Sequence, residues 1–348
     1  MMDYKWNKKD IKNKINELKS KSILSKEEKE DLYLLKDMLR TMNGTRITSD
    51  LSKYKAFFSS NKQLINVLSE DFKTYFTEFQ HKAIIDSLED IVYQDFNEIY
   101  KSSLDIPISF LDQKELIYKY FSDGILLDKH KDLFNLNYFL LQLTKQNINE
   151  TITVDNQNYI VVNNNETVKD FNNLCHELGH YDEAIITNNR MLKERFNKDK
   201  FKYDNLSEIS SIFYELVSID ILEKEKLITP HDGMSLHNYS FTNKTCEGDY
   251  YNYADVCVRS KKIDKKENFY IRKEFEYPSS IAMYYYSFLI ACNLYEQYKE
   301  DPEKAKFNLW YILKNITPEN EEKILNAADA NPQDLDKLRN YTKRLRSK

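Results

Sequence analysis

The sequence predicts an α+β protein that is predominantly α-helical and carries a small antiparallel sheet. Only 5 Gly and 6 Pro occur among its 348 residues, and because these two residues interrupt regular structure, their scarcity favours long helices. Two runs with β-branched residues, 151–154 and 159–162, are separated by Asp-Asn-Gln-Asn, which is typical of a hairpin. No internal repeat or flexible linker divides the chain. The change of pattern therefore places a soft boundary between a helical N-terminal lobe, 1–148, and a second lobe, 149–348.

The other elements follow from capping signals and helical spacing. Ser25 to Glu28 forms a capping box ahead of an apolar run, Asn43-Gly44 is typical of a helix end, and another helix should begin near Asp112. Helical spacing continues over 134–143. After the hairpin we expect helices at about 167–187, 205–226, 278–298, 302–315 and 318–328. The polar stretch 230–272 has no assigned element, and its length suggests a mobile lid or a specificity loop.

Composition and charge exclude several classes of protein. Hydrophobic residues make up 41% and charged residues 31% of the chain, which indicates a globular protein. The formal net charge is −5, from 51 Lys and Arg against 56 Asp and Glu, and this disfavours nucleic-acid partners, whose binders carry basic stripes. The longest apolar stretch, 281–295, is shorter than the ~20 residues that cross a bilayer, so we expect no membrane partner.

The N-terminal residues and the cysteines predict a cytoplasmic protein. The first ten residues include Asp3, Lys5 and Lys8 with no apolar segment behind them, which is unlike a secretory signal. Four cysteines without C-x-x-C spacing fit a reducing compartment, and the pattern leaves a bridge between Cys246 and Cys257 open. The oligomeric state is not determined by these features.

The helix expected over 167–187 carries the motif His-Glu-Leu-Gly-His. Because residues i and i+4 share one helix face, His176 and His180 can place two imidazole nitrogens on one metal ion. Glu177 lies about 100° round the helix, where its carboxylate could take a proton from a metal-bound water. The alternative is a pair of core or surface histidines. Gly179 argues against it, because a costly glycine in a helix interior suggests that something approaches the backbone there.

A hydrolytic zinc site needs three protein ligands and one open position, so a third ligand must come from another element. The helix expected over 205–226 has Glu208, Ser211 and Glu215 at i, i+3 and i+7 along one face, apart from an apolar arc. Such a stripe is most often a solvated face. Beside the histidine motif, however, Glu208 is the best third ligand, and Ser211 and Glu215 would orient the ligating histidines.

Together these motifs resemble the oligoendopeptidase F and thimet oligopeptidase family of zinc metallopeptidases. That family has a strand, a His-Glu-x-Gly-His helix and a Glu-x-x-Ser-x-x-x-Glu helix, and this chain has the three in the same order. The resemblance implies that one Zn²⁺ per chain binds to His176, His180 and Glu208. It also makes Glu177 the general base. A set of two histidines and one glutamate suits zinc, while cobalt and manganese stay open.

The resemblance extends to the substrate. It implies that a peptide pairs with the edge of the strand formed by Tyr159, Ile160, Val161 and Val162. Family members also carry a late His followed by tyrosines that stabilise the tetrahedral intermediate. This chain lacks that His, so Tyr277 and Tyr284 would supply phenol donors to the oxyanion. The alternative for this tyrosine-rich region is an aromatic stripe in the core.

The expected function is zinc-dependent hydrolysis of short peptides by an endopeptidase whose catalytic lobe is 149–348. Two alternatives stay open. One is a regulatory zinc protease that cleaves a single protein or peptide partner. The other is a catalytically inactive peptide-binding protein derived from a peptidase, which the missing family His and the short chain favour.

Overall fold

The computed structural model describes a mostly helical molecule with one small sheet. The described residues are 8–21, 76–91, 101–135, 139–141, 149–154, 157–191, 203, 205–241 and 279–345. The first helices are α1 Lys8–Ser20, α2 Glu78–Ile91, α3 Lys101–Leu104, α4 Phe110–Tyr120 and α5 Ile125–Asn135. The strands are β1 Phe139–Leu141, β2 Glu150–Val154 and β3 Gln157–Val162. The remaining helices are α6 Val168–Thr187, α7 Ile209–Lys224, α8 Pro230–Phe241, α9 Ser279–Glu300, α10 Pro302–Asn315, α11 Glu321–Ala327 and α12 Leu335–Arg344. The predicted α+β class with predominant helix is confirmed.

Some predicted features lie outside the described residues. They are the capping box at 25–28, the helix end at 43–44, the cysteines Cys246 and Cys257, the stretch 242–272 and Tyr277. The lobe boundary at 148/149 stays a prediction. Within the described ranges, no helix is both long and apolar enough to cross a bilayer.

The predicted hairpin is confirmed, and the sheet contains one more strand than expected. Strand β2 pairs antiparallel with β3, with Thr151 opposite Ile160. Strand β1 pairs parallel with β3 on its other side, so that the strand order is β1-β3-β2. The prediction of helix over 134–143 is therefore wrong for 139–141. A short apolar run has no period that separates strand from helix, and here a strand partner decides.

Helix α6 begins and ends where its sequence signals predict. The Thr167 side chain accepts a hydrogen bond from the Asp170 N–H, and the Asp170 carboxylate accepts one from the Thr167 N–H. This reciprocal capping box satisfies two backbone donors that would otherwise lack partners. The helix ends at Asn188, whose φ of 51° lies in the left-handed region that asparagine tolerates.

Helices α6 and α7 form the centre of the molecule. A Cβ atom added at Gly179 of α6 would lie 2.5 Å from the Cα of Ser211 in α7, so only glycine permits this approach of the two backbones. The close approach predicted at Gly179 is thus confirmed, and the partner is a helix. Every residue from 209 to 219 of α7 is buried, because α6, α8 and α9 all pack against it. The reading of its polar stripe as a solvated face is wrong.

Part of the unassigned polar stretch folds as helix α8. The Thr229 hydroxyl accepts from the Asp232 N–H, and an Asp232 carboxylate oxygen accepts from the Thr229 N–H. Pro230 occupies the first helical position, where its missing N–H costs nothing. The expectation of an irregular loop is therefore wrong for 230–241, and the Thr-Pro-x-Asp pattern is a signal that could have predicted this helix.

Helices α9, α10 and α11 match expectation closely, whereas α12 was not among the predicted helices. Helix α10 has the predicted bounds, 302–315, and α9 extends from Ser279 to Glu300 against a predicted 278–298. Helix α10 begins with Asp301 as its N-cap, and the Asp301 side chain accepts from the Lys304 N–H. Helices α10 and α12 pack against α9, which in turn packs against α7. Helix α9 thus covers α7, while strands β2 and β3 pack against α6.

Candidate metal centre and active site

The three residues predicted to bind a metal ion converge on one point. Helix α6 supplies His176 and His180 one turn apart, and Glu208 lies directly before α7. The Glu208 Oε2 atom is 3.3 Å from Nε2 of His176 and 3.1 Å from Nε2 of His180. One ligand atom from each residue lies within 4.8 Å of the other two. We refer to these three residues as the metal cluster.

The electrostatics of the metal cluster couple its members tightly. Burial lowers the pKa of His180, but the Glu208 carboxylate outweighs burial and raises that pKa to about 9. Burial raises the pKa of Glu208, yet the neighbouring His180 and His176 hold it well below its usual range. The same imidazole and carboxylate atoms would be the ligands of a metal ion, and a ligating imidazole is neutral.

The donor set and its spacing fit a zinc ion. Two atoms that each lie about 2.0–2.1 Å from a tetrahedral zinc ion are about 3.3–3.4 Å apart. The two separations of 3.1 and 3.3 Å from Glu208 to the histidines are close to that value. The side chains of His176 and His180 remain 12 and 22% exposed, so the cluster is not fully enclosed by protein.

Glu177 lies beside the metal cluster without belonging to it. Its carboxylate is close enough to His180 to contribute to the raised pKa of that histidine. The hydroxyl of Thr151 in β2 lies 3.0 Å from Glu177 Oε2 and 2.7 Å from the Glu177 carbonyl oxygen. A buried carboxylate beside the ion position, held by a donor, suits a residue that moves a proton.

Two further polar residues of α7 contact the metal cluster. The Glu215 Oε2 atom lies 3.0 Å from Nδ1 of His176, which leaves the Nε2 atom of that ring directed at Glu208. The Ser211 hydroxyl lies 2.9 Å from Oε2 of Glu208. Glu215 thus contacts a histidine as predicted, whereas Ser211 contacts the carboxylate and not a histidine.

Sequence reasoning missed the residues that hold Glu215 in place. Ser240 of α8 donates to Glu215 Oε1 at 2.6 Å. Asn172 and Ser218 both donate to the Glu215 backbone carbonyl, at 2.7 and 2.8 Å. Ser240 lies in the stretch that was not predicted to be helical, so no periodicity placed it near α7. The i+3 spacing of Ser218 from Glu215 is the one signal that was visible in the sequence.

The tyrosines at 284–286 separate into two groups. The ring of Tyr284 lies over His176 with a centroid distance of 6.5 Å and an interplanar angle of 27°. Tyr285 and Tyr286 point into the core and donate to Ser87 and Glu321. The core-stripe alternative therefore holds for two of these tyrosines, while Tyr284 lies at the metal cluster. Tyr277 is outside the described residues.

Strand β3 cannot offer the edge that was expected for a peptide. The residues Tyr159, Ile160 and Val161 pair with β2, and Ile160, Val161 and Val162 pair with β1. Both backbone edges are therefore occupied at Ile160 and Val161, and the predicted edge role is wrong for these two residues. Tyr159 pairs only with β2, and Val162 only with β1, within the described sheet. Among the described strands, β1 and β2 lie at the edges of the sheet. Of these, β2 carries Thr151 and borders Glu177.

The sequence and the fold of this chain were compared with those of known proteins. No family model and no curated protein matches the sequence. A structure assigned as an oligoendopeptidase F from Bacillus anthracis str. Ames aligns with a TM-score of 0.50 and 13% identity, over 91% of this chain and 63% of that one. PZ peptidase A with an inhibitor aligns at 0.48 and 12%, over 91% and 64%. A structure assigned as a peptidase from Chlamydophila abortus aligns at 0.47 and 13%, over 97% and 62%.

These alignments concern the fold. The chain spans less than two thirds of the length of the solved peptidases it matches. The match to the Bacillus anthracis structure shows that this chain has the fold of a peptidase. The resemblance drawn from the sequence motifs is confirmed at that level.

Proposed function

We propose that this protein is a zinc-dependent endopeptidase that hydrolyses short peptides. The observation that carries the proposal is the convergence of His176 Nε2, His180 Nε2 and Glu208 Oε2, with separations of 3.1 and 3.3 Å from the carboxylate oxygen. A second support is the fold, which matches that of an oligoendopeptidase F structure. Two histidines and one glutamate form a donor set used by zinc peptidases.

The ligands act together with the residues that orient them. His176, His180 and Glu208 would hold the ion, whose chemistry is Lewis-acid polarisation of the scissile carbonyl and of the attacking water. Glu215 accepts from Nδ1 of His176 at 3.0 Å, which selects the tautomer with a free Nε2 lone pair. Ser211 donates to Glu208 and restricts its carboxylate.

Glu177 is the proposed general base. Its carboxylate would take a proton from the attacking water and then deliver that proton to the leaving amine. Tyr284 is the proposed phenol donor to the oxyanion, which its position over the His176 ring supports. Tyr277 keeps the same proposed role.

The peptide is proposed to pair along β2. In a peptide that adds to a sheet edge, backbone hydrogen bonds supply affinity and are available to many sequences. Among the described strands, β2 lies at an edge of the sheet, and its residue Thr151 contacts Glu177. A peptide on β2 would therefore run beside the proposed base and the metal cluster.

The test is digestion of a mixed library of short peptides, followed by mass spectrometry. Wild-type protein, Glu177→Gln and the matched control Glu303→Gln are compared at measured zinc content, with a chelated sample alongside. Glu303 is exposed on α10, so its variant should behave as wild type. Cleavage by wild type and the control, with none by Glu177→Gln at equal zinc, is the expected result.

Two outcomes would contradict the proposal. Undiminished cleavage by Glu177→Gln would remove Glu177 as the base. No cleavage by zinc-loaded wild type would reject an enzyme for many short peptides. Peptide binding without turnover would then indicate a binding protein, and cleavage of one protein partner would indicate a regulatory protease.

A further inference from the structure

Thr151 contacts the proposed general base from a different element. Its hydroxyl lies 2.7 Å from the Glu177 carbonyl oxygen and 3.0 Å from Glu177 Oε2. A threonine hydroxyl has one hydrogen to donate, which here is shared between the carbonyl oxygen, the nearer acceptor, and Oε2 of the same residue. Among the described residues, Thr151 is the donor that the Glu177 carboxylate contacts.

The position of Thr151 in the sheet gives this donor a defined direction. Thr151 lies opposite Ile160 of β3, and its neighbour Ile152 is buried on the other face of the sheet. Because side chains alternate along a strand, the Thr151 and Thr153 side chains share the face that Ile152 does not. A β-branched side chain also has few χ1 rotamers, so the hydroxyl is held with little freedom.

We infer that Thr151 is a positioning residue that aligns the Glu177 carboxylate with the metal cluster. The inference rests on the proposed function and deepens it. The strand proposed to bind the peptide would also orient the base. Strand β2 would therefore fix the position of the peptide relative to the Glu177 carboxylate. A glutamate side chain without this donor would sample other rotamers, and proton transfer depends on a geometry within hydrogen-bond reach.

The test uses three variants in the intact chain. Thr151→Val removes the hydroxyl at nearly constant shape, and Thr151→Ser keeps it. The matched control is Thr187→Val, because Thr187 is the last residue of α6, lies outside the sheet and donates its hydroxyl to the Glu183 carbonyl oxygen at 2.8 Å. Each variant is measured for kcat, KM, zinc content and Tm, and crystal structures of wild type and Thr151→Val report the Glu177 rotamer.

We expect kcat of Thr151→Val to fall about 10- to 100-fold, which is part of what a general base contributes. KM should change less than about twofold, and zinc content should not change. Thr151→Ser should recover most of kcat, and Thr187→Val should match wild type. The Glu177 carboxylate should leave its wild-type rotamer in the Thr151→Val crystal.

Wild-type kcat in Thr151→Val, or an unmoved Glu177 carboxylate, would overturn the inference. A loss of zinc or of Tm larger than in Thr187→Val would overturn it as well, by indicating a purely structural role. If wild type cleaves no peptide, the proposed function fails. The Glu177 rotamer still decides whether Thr151 positions that carboxylate.

Discussion

Helix α6 contributes residues to two clusters of histidine and carboxylate that differ in what their polar atoms contact. The metal cluster points three lone-pair atoms at one point. The second, which we call the core cluster, contains Ser122, His130, Asp182 and Tyr214. There the Ser122 hydroxyl lies 2.7 Å from His130 Nδ1, and Asp182 Oδ1 lies 2.6 Å from His130 Nε2. Tyr214 donates to the other Asp182 oxygen at 2.8 Å.

The comparison shows that residue types do not by themselves identify a metal site. Both ring nitrogens of His130 and both oxygens of Asp182 already have partners, and these side chains are 0 and 1% exposed. The core cluster therefore has no free lone pair directed at a shared point and no access from solvent. In the metal cluster, by contrast, one ligand atom from each of three residues faces the other two, and the two histidine side chains are partly exposed. Convergence and access, and not composition, separate a candidate active site from a structural network.

The largest expected effect is that of His180→Ala. Removal of one of three ligands should abolish zinc binding at micromolar zinc. Peptide cleavage should then fall on the order of 10³-fold or more, because the Lewis-acid contribution is lost. Zinc content by mass spectrometry and kcat/KM on a cleaved peptide measure the two effects. His231→Ala, an exposed position on α8, is the control. Normal zinc content in His180→Ala would contradict the ligand assignment.

His130→Ala should have the opposite profile. It leaves Asp182 buried with one of its two partners and opens a cavity in the core. The free energy of unfolding should fall by about 3 kcal/mol or more. Zinc content per folded protein should stay at the wild-type value. Urea unfolding and metal analysis test this, again against His231→Ala. A variant that is stable but binds no zinc would show that the two clusters are not separate.

A third buried carboxyl, that of Glu321, extends the comparison, because no histidine pairs with it in the described structure. Burial raises the pKa of Glu321 to about 7, and hydrogen bonds from Thr77, Gln80 and Tyr286 offset this only in part. Glu208, which has two histidines beside it, shifts in the opposite direction. The neighbouring cations therefore decide the charge of a buried carboxylate.

The sign of the Glu321 effect on stability follows from this shift. A folded-state pKa above the unfolded value contributes stability that is present at low pH and is lost as pH rises through about 7. Because the pKa rises from 4.5 to about 7, Glu321→Gln should be more stable than wild type by about 3 kcal/mol at pH 8, with little difference at pH 4. Urea unfolding at both pH values measures it. The exposed neighbour Glu322→Gln is the control, and an equal pH response in both variants would contradict the assignment.

The smallest expected effect concerns the support of the metal cluster. Ser240→Ala removes the donor to Glu215 Oε1, and Glu215 in turn holds His176. The zinc dissociation constant should rise about 10-fold, the lower end for loss of an outer hydrogen bond. Ser218→Ala is the matched control, because Ser218 donates to the Glu215 backbone carbonyl and not to the carboxylate. Equal zinc affinity in the two variants would contradict this role for Ser240.

Local signals predicted the parts of the fold that depend on neighbouring residues. The Thr167 capping box marked the start of α6, and the bounds of α10 matched because its Asp-Pro start is a local cap. The same kind of signal at Thr229 preceded α8 and was overlooked. Strand β1 had no such signal, because its three residues adopt their conformation by pairing with β3.

The candidate site also has one part that the local sequence determines and another that tertiary packing determines. The sequence by itself determined that His176, Glu177 and His180 share one helix, since helical spacing brings i and i+4 together wherever the helix forms. Tertiary structure alone decided that Glu208 reaches both histidines, that β3 is central and that Thr151 and Ser240 support the site. These contacts join residues that are distant in the chain. No local periodicity determines such contacts, because they depend on how closely α6, α7, α8 and the sheet pack.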